Sequence, residues 1–168
     1  AENNVVTGIV VADDGDNPTS TAVTFMNTVT PLISISGTKT WEGGETADTP
    51  DNIVVQIQRF NPDTNKYEQA KDKLGELIPN QIVDIKSDWK YTFTGLLKYV
   101  NYAATSQQEY QYRVVELGTL KSSDELGGTN TIPDPQNPDH IKQITGYYPE
   151  YTKAEDGRSY NITNKKTG

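Results

Sequence analysis

Short runs of Val, Ile, Tyr, Thr and Phe, each bounded by clusters of Gly, Pro, Asn and Asp, recur along the whole chain and predict β structure throughout. Successive side chains of a strand point to opposite faces, so a run of this kind buries one face and wets the other. The pattern predicts strands at 4–12, 21–29, 33–41, 52–60, 81–85, 89–96, 109–117, 150–154 and 159–165. "NPDTNK" (61–66) reads as a turn, and "EDGR" (155–158) as a tight hairpin turn between the last two strands. One short helical stretch is expected around "YEQAKDKLGEL" (67–77), against the helix-weakening Gly75. The default architecture is an all-β sandwich.

Two regions depart from a compact pattern. Residues 118–146 are long, polar and rich in Gly and Pro, as suits an extended surface insertion. Residues 13–20, "DDGDNPTS", join the first two strands, and "TPL" (30–32) then marks a boundary. The expected division is a β-hairpin, 1–30, remnant of a preceding domain or linker, followed by a domain, 31–168. "TFMNT" (24–28) echoes "NITNK" (161–165), each with an Asn two residues after an apolar one at a strand's end, as in a tandem array.

Composition narrows the function classes. At 168 residues the chain holds one sizeable domain, or one domain plus a fragment. A formal charge of −8 argues against nucleic acid or an anionic membrane as partner, since both select basic surfaces. With no cysteine there is neither a disulfide framework nor a thiolate metal site, and any covalent staple must be of another kind. His140 is the sole histidine, so no His-based triad or His-rich metal site can be assembled, and no cofactor is expected. "DDGDN" (13–17) lacks the spacing and closing Glu of a calcium loop and reads as a turn. The opening "AENNVV" has no charged region followed by an apolar one, which suggests a mature fragment or an excised piece, expected to be monomeric. "NIT" (161–163) is a glycosylation sequon lying on an expected core strand. Trp89, Tyr91 and Phe93 alternate on one strand face and, with Trp41, read as core rather than a sugar platform. Tyr147, Tyr148 and Tyr151 of "GYYPEY" read as an exposed contact surface.

The alternation contains three polar residues out of place. In 33–41, Ile33, Ile35, Lys39 and Trp41 share a face, with Gly37 between them. In 109–117, Tyr110, Tyr112 and Val114 share a face that continues into Glu116. In 159–165, Tyr160 and Ile162 share a face that continues into Asn164. Any one of these can run out into solvent at a strand end, and a lysine can snorkel. A Lys and a Glu both forced inward must pair, or shift their pKa values until both are neutral. A neutral Lys39 amine is a nucleophile, and a protonated Glu116 can hydrogen-bond the Asn164 carboxamide oxygen and polarise its carbon. Attack of Lys39 on Asn164, with Glu116 shuttling protons, would release ammonia and leave an amide cross-link without metal or cofactor.

"ISGTKTWEGG", "WKYTFTGL", "YQYRVVE" and "YNITNK", in that order over about residues 33–168, resemble the Cna B-type domain of Gram-positive surface adhesins and pilins. The resemblance implies a Cna B-like, immunoglobulin-like or transthyretin-like β-sandwich. It also implies an isopeptide bond between Lys39 and Asn164 assisted by Glu116, and an extracellular place in the cell wall or pilus of a Gram-positive bacterium. Implied partners are neighbouring domains of the same polypeptide, other pilus or surface subunits, and a host ligand. The longer 118–146 connection and "EGGE" after the tryptophan depart from the family's usual pattern. By the same resemblance Asn27 would be the acceptor of a preceding domain. Two rival readings remain: an adhesin module using 118–151 to hold a ligand, and a hydrolase accessory domain using Glu116 in an open cleft.

Overall fold

The computed structural model describes residues 30–101, 107–128 and 130–168 in full, and the backbone of 3–12 and 19–28. The last two segments form β1 (Asn3–Ala12) and β2 (Thr19–Thr28), paired antiparallel with Val5 opposite Met26. Asn27 and "DDGDN", as side-chain proposals, lie outside the described residues. Nine further strands follow among the described residues: β3 (Leu32–Glu42), β4 (Asn52–Asn61), β5 (Lys66–Gln69), β6 (Gln81–Asp84), β7 (Lys90–Leu97), β8 (Tyr112–Leu120), β9 (Ile141–Lys142), β10 (Tyr147–Lys153) and β11 (Tyr160–Lys166).

These nine make two sheets. One has the order β10-β11-β3-β7; the other has the order β5-β4-β8-β9, with β6 also paired to β4. The inner faces meet in one core. Ile35, Tyr91, Phe93, Tyr160 and Ile162 come from the first sheet, and Ile53, Val55, Ile57, Val83, Tyr112 and Val114 from the second. This is the β-sandwich that the alternation demands, since each sheet has one apolar face and only the other sheet to bury it against. The outer core positions carry their polar atoms to partners: the Tyr91 hydroxyl donates to the Tyr160 carbonyl, and the Tyr160 hydroxyl to the Tyr112 carbonyl across the sandwich at 2.5 Å.

The stretch expected as a helix at 67–77 is not one. Residues 66–69 are β5, paired with the end of β4, and the chain then folds back through an isolated bridge between Lys71 and Leu77. Asp72 decides this locally, because its carboxylate accepts the N–H groups of Leu74 and Glu76 at 2.8 and 3.0 Å, and Gly75 takes a left-handed φ of 80°. A side chain that caps its own following amides competes with the helix for them. The 118–146 connection is also less free than its composition suggests. Its first residues extend β8 to Leu120, β9 returns to pair with Thr119 and Leu120, and Gln136 exchanges hydrogen bonds of 2.8 and 2.9 Å with the backbone of Asn80.

The parallel pair β3–β11 positions everything that follows. It aligns Lys39 with Ile162 and Trp41 with Asn164. On the outer face the register is pinned by Thr38, whose N–H and hydroxyl both donate to the Asn161 carboxamide oxygen at 3.0 Å, and by the Thr40 and Thr163 hydroxyls at 3.0 Å. On the inner face Gly37 is the point of closest approach. A Cβ there would stand 1.5 Å from the Tyr160 carbonyl oxygen and 2.5 Å from the Tyr91 hydroxyl oxygen. Gly37→Ala must therefore push β11 off β3, and a loss of about 3 kcal/mol is expected, as for an overpacked core. Thermal unfolding of the variant checks it; an unchanged midpoint would mean that the strands can part there without cost.

Candidate functional site

Lys39 and Asn164 sit on adjacent strands of one sheet, and Glu116 faces them from β8 of the other. Pleat parity aims all three inward. Lys39 is 3% exposed and Asn164 is fully buried; the Glu116 side chain is 5% exposed. The parallel ladder sets Lys39 two residues from Asn164, an offset within the length of the lysine's four-carbon stem.

The contacts form a closed set. The Lys39 Nζ lies 3.8 Å from Glu116 Oε1, donates to the Thr40 carbonyl at 3.1 Å, and stands 3.3 Å from the centroid of the Trp41 ring. Asn164 Nδ2 donates to Glu116 Oε2 at 3.0 Å. The remaining oxygens, Glu116 Oε1 and Asn164 Oδ1, are buried without a hydrogen-bond partner. Above them Trp41 is edge-on to Tyr147, with centroids 5.0 Å apart, and to Trp89 at 6.1 Å. The site is thus a polar trio in an aromatic box.

Burial sets the protonation of the pair. Desolvation lowers the Lys39 pKa to about 7, offset in part by the Glu116 charge. Desolvation likewise raises the Glu116 carboxyl above the usual carboxylate range, against the opposing effects of the Asn164 hydrogen bond and Lys39. Both shifts move the pair toward its neutral form, amine and carboxylic acid, as expected of two ionisable groups shut away from water. One expected detail differs. The hydrogen bond runs from the carboxamide nitrogen to the carboxylate, which suits an ionised Glu116, rather than from a carboxylic acid to Oδ1. Turning the Asn164 carboxamide by half a revolution exchanges Nδ2 with the unpartnered Oδ1 and accommodates the acid in the same place.

Residues 35–131 match the family model of the Cna protein B-type domain, more than half of the 168 residues. The chain belongs to the Cna protein B-type domain family. Among solved structures, this Cna B-type domain is similar to the pilus adhesin SpaC of Lactobacillus rhamnosus GG in its open conformation, at 14% identity and a TM-score of 0.49. That match covers 96% of this chain and 15% of SpaC, so the chain spans only a small part of that protein's length. It is also similar to the B1 repeat of the collagen-binding surface protein Cna of Staphylococcus aureus. There the identity is 18% and the TM-score 0.48, over 94% of this chain and 70% of that one. None of the curated proteins compared matches the chain. The matched Cna B-type segment includes Lys39 and Glu116; the β3–β11 register brings Asn164 to them from beyond its end.

Other expectations sort as follows. Tyr91 and Phe93 are core, and Trp89 packs against it. His140 sits in the long connection, where its Nδ1 accepts the Asp134 N–H at 2.9 Å. The tyrosines of β10 divide: Tyr147 is buried against Trp41, whereas Tyr148 and Tyr151 are exposed as expected, at 45% and 42%, although the Tyr151 hydroxyl accepts the Glu116 N–H at 2.9 Å. The signal was available in the "EDGR" turn. A hairpin closing there puts Tyr151 opposite Ile162 and Tyr147 opposite Lys166, hence on the face of Asn164. An open cleft around Glu116, which the hydrolase reading needs, is absent, since its side chain is buried. Among the described residues no cluster of His, Cys, Asp and Glu suits a metal, and no helix is long and apolar enough to cross a membrane.

Proposed function

We propose that this chain is a structural module of a Gram-positive surface adhesin or pilus, outside the cell, whose fold joins its first and last strands by an amide between Lys39 and Asn164. The observation that carries the reading is the burial of an amine and a carboxamide between the sheets, each in contact with the same buried carboxyl.

The neutral Lys39 amine attacks Asn164 Cγ, and protonated Glu116 donates to Oδ1 as negative charge develops there. Glu116 then moves a proton from the attacking nitrogen to the departing one and takes back the Oδ1 proton as the carbonyl re-forms. The C–N bond to Asn164 Nδ2 breaks, one C–N bond to Lys39 Nζ forms, and one ammonia leaves, so no oxidant or cofactor enters the balance. Holding the partners together replaces a bimolecular amide exchange by an internal one, an advantage of order 10⁵ M or more in effective concentration. Glu116 is regenerated, yet the substrate is the fold itself, so the reaction occurs once per molecule. Residues 31–168 form the module, with 1–30 as the closing hairpin of a preceding domain and other domains and surface subunits as its neighbours.

Intact mass tests the reading. The wild-type chain is expected to weigh one ammonia less than its sequence, and Lys39→Ala, Asn164→Ala and Glu116→Ala each to regain it. A wild-type chain at full sequence mass, folded, would end the proposal.

A further inference from the structure

We propose that Tyr151 is a positioning residue for the amide-forming step: it closes the open side of the sandwich over Glu116 and fixes the backbone from which the carboxyl reaches Lys39 and Asn164. The inference rests on the function proposed above and extends it to a residue on a strand that carries no reacting atom.

Glu116 occupies an irregular point of β8. The ladder to β4 places Val55 opposite Glu116 but Val54 opposite Gly118, so Leu117 is an extra residue and the pairing is locally broken. On the other side of β8, β9 pairs only with Thr119 and Leu120. The Glu116 N–H therefore has no strand to bond. It donates instead to the Tyr151 hydroxyl at 2.9 Å, from β10 of the opposite sheet, while Gln143 Nε2 donates to the neighbouring Leu117 carbonyl at 3.4 Å. Tyr151 stands opposite Ile162, two residues from the Asn164 pair, and its hydroxyl reaches the Glu116 backbone while the residue as a whole remains 42% exposed.

A bulged backbone whose Glu116 N–H is held by one side chain is a poor place for a carboxyl that must meet two partners, unless that side chain is part of the arrangement. The groups facing Glu116 are Lys39 from β3, Asn164 from β11 and Tyr151 from β10; β4 presents the apolar Val55, and Arg113 of β8 acts on Tyr151. Burial raises the Tyr151 phenol, with the Glu116 charge adding to the rise, so the hydroxyl stays protonated and neutral beside the pair. Removing the ring admits water to the carboxyl and the amine alike. Water favours the ionised form of each, and the reactive neutral pair becomes scarcer.

The test follows ammonia loss by intact mass while full-length chain, recovered unfolded from inclusion bodies, refolds by dilution over a range of pH. In wild type the rate is a bell, because the pair reacts only with one proton shared between amine and carboxyl. Tyr151→Phe keeps the wall and loses the hydrogen bond, so its plateau falls about fivefold with both limbs in place. Tyr151→Ala loses both: its plateau falls more than tenfold, the acid limb moves to lower pH as Glu116 ionises more easily, and the alkaline limb moves to higher pH as Lys39 holds its proton. Wild-type rates in both variants would overturn the inference, as would a slow Tyr151→Ala with unmoved limbs, which marks a merely structural ring. Should Tyr151→Ala not refold, the Tyr151→Phe rate decides alone. A refolded wild type that never loses ammonia sinks the proposed function instead, a result separate from any of these.

Discussion

Replacing Lys39 by Met is expected to add back one ammonia of mass and to lower the thermal midpoint by roughly 15 °C or more. The proposed bond would tie residue 39 to residue 164, closing about 125 residues as a loop in the unfolded chain. By the chain-entropy argument used for disulfides, a loop of that length stabilises the folded state by about 5 kcal/mol. Methionine is chosen because it keeps the length and bulk of the lysine stem without its amine, so the loss reports the missing bond and not a cavity. Glu116→Ala also blocks the bond, but it strands the Lys39 amine without its counter-charge and adds a cost of several kcal/mol that belongs to burial. The two variants therefore separate the contributions: each weighs what its own sequence predicts, with no ammonia missing, and Glu116→Ala is the less stable. A Lys39→Met chain that unfolds at the wild-type temperature would show that the loop contributes nothing.

The same trio shows how much could be read beforehand, and why. Parity along a strand depends only on the pleat, so Lys39, Glu116 and Asn164 could be aimed inward from sequence alone, and they are inward. The sandwich followed from the same alternation, since apolar faces of period two have no stable home but another sheet. What parity cannot supply is anything set by side chains acting on their own backbone. Asp72 captures two amides and cancels a helix between 67 and 77 that periodicity allowed. The bulge at Leu117 arises from long-range pairing of β4 with β8, and no local pattern around "VVELG" announces it. Tyr147 departs from the exposure expected of it for a third reason. A segment reading "GYYPEY" looks like an exposed edge, and only counting the hairpin register back from "EDGR" shows which of its tyrosines turn in.

Pulled from its two ends, the wild-type chain is expected to show no unfolding step attributable to residues 40–163, whereas Lys39→Met should extend by roughly 400 Å when the sandwich gives way. The geometry explains the contrast. β3 and β11 are parallel neighbours, so a load entering near Leu32 and leaving near Lys166 pulls them past each other in shear. Without the bond the load falls on non-covalent contacts: the ladder, the outer ties of Thr38 to Asn161 and Thr40 to Thr163, the Tyr91 and Tyr160 hydroxyl bonds and the core packing of β11, each hydrogen bond being worth about 1 kcal/mol. With it, force enters β3, crosses from Lys39 to Asn164 and leaves through the last residues of β11. Everything between, including the long 118–146 connection and both faces of the core, lies off the load path. β3 ahead of Lys39 is already extended along the pull, so peeling it from β7 adds little length before the amide is taut. Single-molecule extension of the two chains in the same handles reads the difference directly, and the hairpin of β1 and β2 contributes equally to both. A long step in the wild type, matching the variant, would mean that the strands are held by hydrogen bonds alone.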